Sequence, residues 1–515
     1  MTDSLHSHDR ARLVLLGSVF VVASCGIVYE LVSGAVSSYI LGDAVTQFSL
    51  VIGVFLCAMG LGSFLAKFIT SRLLETFVEI EIWIGLVGGL SSLVMFGVSG
   101  LVPSLFAPFF YTLCAVIGVM VGIEIPLIIR ILDRTEGLKE AVSHVLAFDY
   151  LGALAGSVLF PFLVLPFVGL SRASLVFGIM NLGVAAAGIQ LIKGPKRGHR
   201  LRLAGVGAVL LVAMVFSGKM VGFLEDLLYQ DHIVFAKDSP YQRIVLTRWQ
   251  DDVRLYLNGH IQFCSIDEAR YHEALVIPAM EAAPRPRNVL ILGGGDGLAA
   301  REVLKYQSVE KIVLVDLDPV MTELGRKRPE LLALNQGSLN SAKLLIVNQD
   351  AMTYLETSHE FFDVMISDLP DPHTPNLCKL YSRSFFALMA RRLAAGGVMV
   401  TQATSPFFAP EAFWCIERTI AEAVHEAQPR DALIPLPYHV HVPSFGDWGF
   451  VMASGRSIRT EDLNISVSTR FLTRDTMLGM FHFSKDMERP EVRSNRLNAP
   501  VLFEYYRRGW EKWND

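Results

Sequence analysis

Hydrophobic positions crowd into the first 218 residues, where apolar runs are broken only by short polar segments. A helix needs about 20 consecutive apolar residues to cross a bilayer. Seven runs reach or approach that length, and they occupy residues 13–36, 46–68, 80–102, 105–131, 145–166, 171–192 and 202–218. The pattern predicts a multi-pass α-helical domain over residues 1–218, embedded in the lipid bilayer of the cell membrane. Small residues in 60–63 and 152–156 should allow close contact between helices.

Basic residues predict the orientation of this membrane domain. Lys and Arg concentrate before the first run and after the second, fourth and sixth runs, so all the clusters fall on one face. Such clusters normally face the cytoplasm. Seven crossings would then place residues 219–515 on the opposite face, unless the seventh run is re-entrant or peripheral or a further crossing exists.

After residue 218 the pattern becomes that of a soluble α/β protein. We expect a linker at 219–238 and a small β-rich subdomain at 239–287. Within the subdomain, alternation and turn residues predict strands at 241–247 and 253–257, tight turns at Asp251-Asp252 and Asn258-Gly259, and a helix at 267–280.

Residues 288–515 alternate strands with helices. The predicted strands are 288–292, 311–316, 342–348, 362–367 and 397–402, with helices at 298–306 and 383–394. Such alternation predicts a doubly wound, Rossmann-like parallel sheet of the class I methyltransferase type, whose ligands bind at the carboxyl ends of the strands. Residues 486–515 should add a C-terminal helical cap, to which the sequence assigns no chemistry.

The amino-acid composition argues against some classes of function. The chain has 515 residues, of which 52% are hydrophobic and 18% charged, and its net charge is −5. This balance lacks the basic character of a nucleic-acid-binding protein. The six cysteines show neither CxxC nor His-rich spacing, so neither a metal site nor a disulfide framework is predicted.

Acidic residues fall at successive strand ends of the predicted sheet. Asp296 lies inside a glycine-rich turn, GGGDG, where it would repel a phosphate. Asp316 ends the second strand, a position suited to ribose hydroxyls. Asp368 and Asp371 follow the fourth strand in the proline-bound turn DLPDP. Together these features predict a site for a nucleoside that carries positive charge, such as a sulfonium nucleoside.

These motifs resemble the polyamine aminopropyltransferases, the spermidine/spermine synthase family. The similar segments are Tyr241-Gln242, the NGHIQ of 258–262, Asp267-Glu268 with Tyr271-His272-Glu273, GGGDG followed by REVLK, Asp316-Leu317-Asp318, Asp350-Ala351, and DLPDP with Pro375. With its apolar first half, the whole chain resembles a membrane-fused bacterial branch of that family.

The resemblance implies a reaction and a role for each matching residue. The aminopropyl group of decarboxylated S-adenosylmethionine, a co-substrate, would pass to a diamine, most simply putrescine, and no further cofactor is implied. Asp368 matches the general base. The matches on the amine side are Gln262, His272, Asp296 and Asp371, and those on the nucleoside side are Gln242, Asp316, Asp350, Ala351 and Pro375. The resemblance also suggests a homo-oligomer.

The sequence departs from the family pattern at three places, one of which is Leu369-Pro370 in place of the usual small hydroxyl pair. Asp316 stands where soluble members usually carry Glu, and around 441–450 no tyrosine matches the usual amine-site position, since Tyr438 is displaced. One alternative is a methyltransferase that uses S-adenosylmethionine. The other is a polyamine transporter or sensor with a vestigial catalytic domain, which the acids Glu30, Glu124 and Asp149 in or near the apolar runs would serve.

Overall fold

The structure is a computed structural model that describes residues 2–41, 44–229, 231–423 and 432–513. The chain forms two compact units, Met1–Ile233 and Val234–Asp515. The helices of the first unit are α1 Thr2–Leu41, α2 Ala44–Ala66, α3 Leu73–Leu101, α4 Phe106–Glu136, α5 Leu138–Leu159, α6 Leu165–Val168, α7 Leu170–Leu191 and α8 Arg197–Tyr229. Within the described residues, seven segments are long and apolar enough to cross a membrane, as the sequence predicts.

Glycines set the helix contacts in the first unit. A Cβ atom on Gly62 would lie 2.1 Å from the Val119 carbonyl oxygen of α4, and one on Gly152 would lie 2.2 Å from the Phe20 carbonyl oxygen of α1. Ser24 donates to the Gly152 carbonyl at 2.8 Å across the same contact. The expectation of close packing holds at these positions, whereas Gly60 faces open space.

The seventh apolar run belongs to α8, a continuous helix of 33 residues. The seventh run therefore has the length and composition of a crossing helix. Two carboxylates are fully enclosed between the helices of this unit: Glu124, singled out in the sequence, and Glu81, which was not. Glu30 and Asp149 are only half-buried.

The second unit opens with a four-stranded sheet of order β1-β2-β3-β4, formed by β1 His232–Asp238, β2 Arg243–Trp249, β3 Asp252–Leu257 and β4 His260–Cys264. Asn258 and Gly259 both take positive φ in the turn between β3 and β4, as a two-residue hairpin requires. The predicted linker at 219–238 needs correction, because α8 continues to Tyr229 and β1 pairs with β2.

The remaining helices of the second unit are α9 Glu268–Ala282, α10 Leu298–Leu304, α11 Pro319–Lys327, α12 Pro329–Asn335, α13 Ala351–Thr357, α14 Pro375–Cys378, α15 Arg383–Arg392, α16 Pro410–Ala421, α17 Arg474–Gly479 and α18 Val501–Glu511. The remaining strands are β5 Asn288–Gly293, β6 Lys311–Asp316, β7 Leu344–Asn348, β8 Phe362–Asp368, β9 Leu393–Gln402, β10 Ile434–Val442 and β11 Gly446–Ser454.

These seven strands form one sheet of order β10-β11-β9-β8-β5-β6-β7. Strands β5 to β9 are parallel, and β11 runs antiparallel to both of its neighbours. The strand order reverses between β5 and β8, which is where ligands bind in such sheets. The predicted Rossmann-like fold is confirmed.

Helix α9 was expected in the small β-rich subdomain at 239–287. Its buried residues instead pack with Val289 and Ile291 of β5 and Val364 of β8, so the helix covers one face of the large sheet. The subdomain proper is the four-stranded sheet. This arrangement places the first turn of α9 beside the switch point.

Candidate active site

The turn after β8 is fixed by side chains from neighbouring elements. Gly293 of β5 pairs with Asp368 of β8, and a Cβ atom on Gly293 would lie only 2.0 Å from the Asp368 carbonyl oxygen. The Tyr381 hydroxyl donates to the carbonyls of Leu369 and Pro370, at 3.2 and 3.0 Å. Gln402 donates to the Leu369 carbonyl at 2.9 Å. The turn therefore holds its two acids in fixed positions.

Both acids open into one cavity of about 690 Å³ at the switch point. Nine of the ten residues that the sequence predicts for the site line this cavity: Gln242, Gln262, His272, Asp296, Asp316, Asp350, Ala351, Asp368 and Asp371. The tenth, Pro375, begins α14 and is not among the lining residues. The structure thus brings together the acids that the sequence places on separate strands.

The charge of the cavity is predominantly negative, although His272, whose pKa is raised to about 9, also lines it. Its described lining includes six aspartates and not one lysine or arginine. Enclosed carboxylates without basic partners repel one another and lose hydration. A cationic ligand relieves both costs, whereas a phosphate would add to them.

Asp368 accepts a hydrogen bond from the Tyr271 hydroxyl at 2.9 Å. Removal from bulk water, aided by the charge of Asp296 and opposed by His272 and Tyr271, raises the pKa of Asp368 to about 6. A carboxylate with this pKa is ionised near neutral pH and is more basic than an ordinary aspartate. Such a group suits general-base chemistry.

Asp371 accepts a hydrogen bond from the Tyr506 hydroxyl of α18 at 3.0 Å. Removal from water raises the pKa of Asp371 to about 6, although the bond from Tyr506 opposes the rise. The other carboxylate oxygen, Oδ1, is fully enclosed, and the side chains of Gln402 and Thr404 also oppose the rise in the pKa of Asp371.

Asp296 closes the glycine-rich turn at the start of α10. Its Oδ1 accepts from the Leu298 amide at 2.8 Å. Removal from water raises the pKa of Asp296, and the nearby His272 charge opposes that rise.

His272 lies between Asp296 and a buried ion-pair cluster. Its Nδ1 contacts the Glu268 carbonyl oxygen at 2.9 Å and the Glu268 carboxylate at 3.1 Å. Glu268 also accepts two bonds from Arg301, at 2.9 and 2.8 Å. Burial disfavours a charged imidazole, but Glu268 outweighs this effect and raises the pKa of His272 to about 9. Glu268 occupies Nδ1, so Nε2 is the ring nitrogen left for the cavity.

Asp316 is held by two backbone amides. Its Oδ2 accepts from Gly295 at 3.0 Å and its Oδ1 from Asp318 at 2.8 Å. Removal from water, together with the charge of Asp318, raises the pKa of Asp316 to about 7 against these bonds. Gln242 does not contact Asp316; it donates to Asp318 at 3.0 Å.

The remaining predicted residues, Asp350, Ala351 and Gln262, have environments different from those of the acids above. Asp350 caps α13 through the Thr353 amide and pairs with Lys379 at 2.8 Å. Burial opposes ionisation of Asp350, but Lys379 lowers its pKa below the usual value. Ala351 is buried beside it. Gln262 donates to the His260 carbonyl at 3.1 Å.

Sequence reasoning missed the aromatic side of the cavity. Tyr271, Phe445, Trp448, Tyr506 and Trp510 all line it. Tyr506 and Trp510 are four apart on α18, so a helical reading of 504–513 could have placed both on one face. Tyr438 is buried in the core and donates to the Ala274 carbonyl, which confirms that it is displaced from the site.

Comparisons with known proteins indicate the family to which this chain is similar. A profile of the spermine/spermidine synthase domain matches residues 268–457. Polyamine aminopropyltransferase 2 of Ralstonia nicotianae is 45% identical over 513 residues, covering 98% of this chain and 99% of that protein. A polyamine aminopropyltransferase of Leptospira interrogans is 44% identical over 500 residues, covering 96% and 98%.

One similar solved structure is a spermidine synthase in complex with the transition-state analogue AdoDATO. It is 26% identical, with a TM-score of 0.45, over 50% of this chain and 88% of that chain. The two relatives match almost the full length of this chain at 44 and 45% identity. This enzyme, with its seven apolar helices and its Rossmann-like unit, therefore belongs to the polyamine aminopropyltransferase family.

Proposed function

We propose that the enzyme transfers the aminopropyl group of decarboxylated S-adenosylmethionine to a diamine, putrescine, and releases methylthioadenosine. The single observation that carries the proposal is the cavity at the switch point, whose described lining has six aspartates and neither lysine nor arginine. Both proposed substrates are cations, and both are consistent with membership of the polyamine aminopropyltransferase family. The cavity is built to lower the free energy of two positive groups at short range.

Asp368 is the general base in this proposal. Alkylamines have pKa values of about 10, like that of lysine, so the attacking amine arrives mostly protonated. Asp368 accepts its proton, and the freed lone pair attacks the carbon beside the sulfonium. The new C–N bond forms as the C–S bond breaks, its electron pair goes to sulfur, and the neutral thioether leaves. The Tyr271 hydroxyl, 2.9 Å away, holds Asp368 in position.

The other acids divide between the two substrates. Asp371, which lines the cavity, receives the distal ammonium of the diamine, and Gln262, which also lines the cavity, binds the same substrate. Asp296 receives the ammonium nitrogen of the aminopropyl group, and the charge of His272, on the amine side, helps to keep Asp296 ionised. Among the described residues, the carboxylate of Asp296 accepts one hydrogen bond, from the Leu298 amide, so it retains the capacity to bind a ligand cation.

The remaining predicted residues bind the nucleoside part of the donor. Asp316, fixed by two amides, accepts from the ribose hydroxyls, while Asp350 and Ala351 border the base. Gln242 acts through Asp318, to which it donates, and Pro375 shapes α14. The seven apolar helices hold the enzyme in the cell membrane. A homo-oligomer remains a prediction.

Product analysis tests the proposal. Purified full-length protein is incubated with S-adenosylmethionine or its decarboxylated form and with putrescine, cadaverine or spermidine. Methylthioadenosine formed with the decarboxylated donor supports aminopropyl transfer, and the preferred amine identifies the acceptor. Adenosylhomocysteine would instead indicate the methyltransferase alternative. Absence of both products, with retained polyamine binding, would indicate the transporter or sensor alternative.

A further inference from the structure

Five aromatic rings form a continuous wall along one side of the cavity. Their neighbouring ring centroids are 5.9 Å apart for Tyr271 and Phe445, 5.1 Å for Phe445 and Trp448, 6.4 Å for Trp448 and Trp510, and 6.0 Å for Trp510 and Tyr506. All five residues line the cavity. We refer to Tyr271, Phe445, Trp448, Trp510 and Tyr506 as the aromatic wall.

The two ends of the aromatic wall hold the two acids of the β8 turn. The Tyr271 hydroxyl donates to Asp368 and the Tyr506 hydroxyl donates to Asp371. The wall therefore runs from the proposed base to the proposed partner of the distal ammonium. A linear diamine spanning the two carboxylates would lie along these rings, with its methylene groups on apolar faces and its ammonium within reach of π electrons.

Two of these rings come from α18, which is anchored in the core beside the cavity. Leu502 and Tyr505 of this helix are buried in the core cluster that includes Phe413 and Trp414 of α16. Gly509 lets the helix approach α16 so closely that a Cβ atom there would lie 2.6 Å from the Ala409 Cα. Tyr506 and Trp510 are thus presented to the cavity by a fixed scaffold.

We propose that α18 completes the acceptor-amine subsite: Tyr506 positions Asp371, and Trp510 supplies an aromatic face that selects linear alkyl diamines. This inference rests on the proposed function and names residues for the amine side of the same site. It also accounts for the tyrosine missing around 441–450, since Tyr506 brings a phenol to the amine-side acid from a different element.

The test uses Tyr506→Phe and Trp510→Leu in the full-length protein. Tyr506→Phe removes a hydrogen bond to a carboxylate, so the KM for putrescine should rise about tenfold or more while the KM for the nucleoside stays unchanged. Trp510→Leu should raise the putrescine KM by about threefold or more, because a lost cation–π contact costs at least a comparable amount of binding free energy. Tyr505→Phe is the matched control, because Tyr505 lies on α18 outside the described cavity lining.

A pH profile separates positioning from a general structural effect. The Tyr506 bond holds the pKa of Asp371 below the value that burial alone would give. Its loss should raise that pKa, so the acid limb of kcat/KM for putrescine should move to higher pH in Tyr506→Phe. The same limb should not move in Tyr505→Phe.

The outcomes separate the two proposals. An inactive wild type overturns the proposed function and this inference together. An active wild type, with a putrescine KM within about twofold in Tyr506→Phe, overturns only the role of α18. Stabilisation by methylthioadenosine reports whether each variant is folded. If Tyr506→Phe loses this stabilisation, Trp510→Leu carries the test alone, and an unchanged KM ratio between putrescine and cadaverine then overturns the inference.

Discussion

Replacing Asp368 with asparagine tests the proposed base with little change of shape. The Tyr271 hydroxyl can still donate to the side-chain oxygen of the amide. The turn is held by bonds from Tyr381 and Gln402 to backbone carbonyls, and these do not involve the Asp368 side chain. Asp368→Asn should therefore fold normally and bind the nucleoside.

The expected loss of activity follows from the chemistry. A positioned general base contributes about 10²–10⁴ to the rate. Asp368 has its pKa raised to about 6, and an amide at the same place accepts no proton at any working pH. We expect kcat to fall about 10²–10⁴-fold, with the affinity for methylthioadenosine, which carries no sulfonium charge, unchanged.

Initial rates of methylthioadenosine formation across pH provide the assay. Asp368 and Asp371 both have pKa values raised to about 6, so the wild-type rate should fall with the loss of two protonation-sensitive groups below that pH. In Asp368→Asn one of these groups is absent. The slope of the acid limb should therefore decrease from about two toward about one.

Asp363→Asn is the matched control on the same strand. The Asp363 carboxylate accepts from the Arg287 and Asn288 amides at the opposite end of β8, away from the cavity lining. This variant should keep wild-type pH dependence. A kcat for Asp368→Asn within about tenfold of wild type would refute Asp368 as the base.

Three further predictions follow from the electrostatics and packing of the site. Glu268→Gln should destabilise the full-length protein by about 3–5 kcal/mol in denaturant titration, because it breaks a buried pair with Arg301, whereas the exposed Glu323→Gln should leave the midpoint unchanged. The cavity acids have folded-state pKa values raised above their unfolded values, so ligand-free stability should be highest at low pH and decline as pH rises through about 6 to 7; scanning calorimetry should show putrescine with methylthioadenosine reducing this decline, and a melting temperature that rises from pH 5 to 8 would contradict the sign. Gly295→Ala would place a Cβ atom 2.5 Å from Asp316 Oδ2 and should weaken methylthioadenosine binding in calorimetric titration, whereas Gly479→Ala, which meets open space, should not.

Strands of the large sheet could be predicted closely from sequence. Residues 311–316 were predicted as a strand and β6 is Lys311–Asp316; residues 362–367 were predicted and β8 is Phe362–Asp368. A short continuous apolar run that ends in an acid is typical of a buried parallel strand, so these strands could be predicted from the pattern. The same logic brought Asp296, Asp316 and Asp368 to one edge, because strand direction alone fixes where the carboxyl ends meet.

Features that depend on tertiary contact could not be predicted in this way. Strand β1 is mostly exposed or half-buried, so its sequence gives no clear alternation and was interpreted as a linker. Helix α9 looked local to the small subdomain until its partners in the large sheet were known. Tyr506 reaches Asp371 from 135 positions away along the chain, and nothing in either segment encodes that distance.

The position of α18 in the chain has a consequence for biosynthesis. The cavity lining is gathered from positions between 241 and 510, whereas the seven apolar segments of the described residues all end before position 218. A ribosome that stalls before position 501 has already delivered every apolar helix, yet its product lacks the segment carrying Tyr506 and Trp510. The amount of this protein in a membrane fraction would thus overstate the number of active enzymes. Titration with methylthioadenosine would also count incomplete chains, unless those chains fail to form the nucleoside-binding part of the cavity.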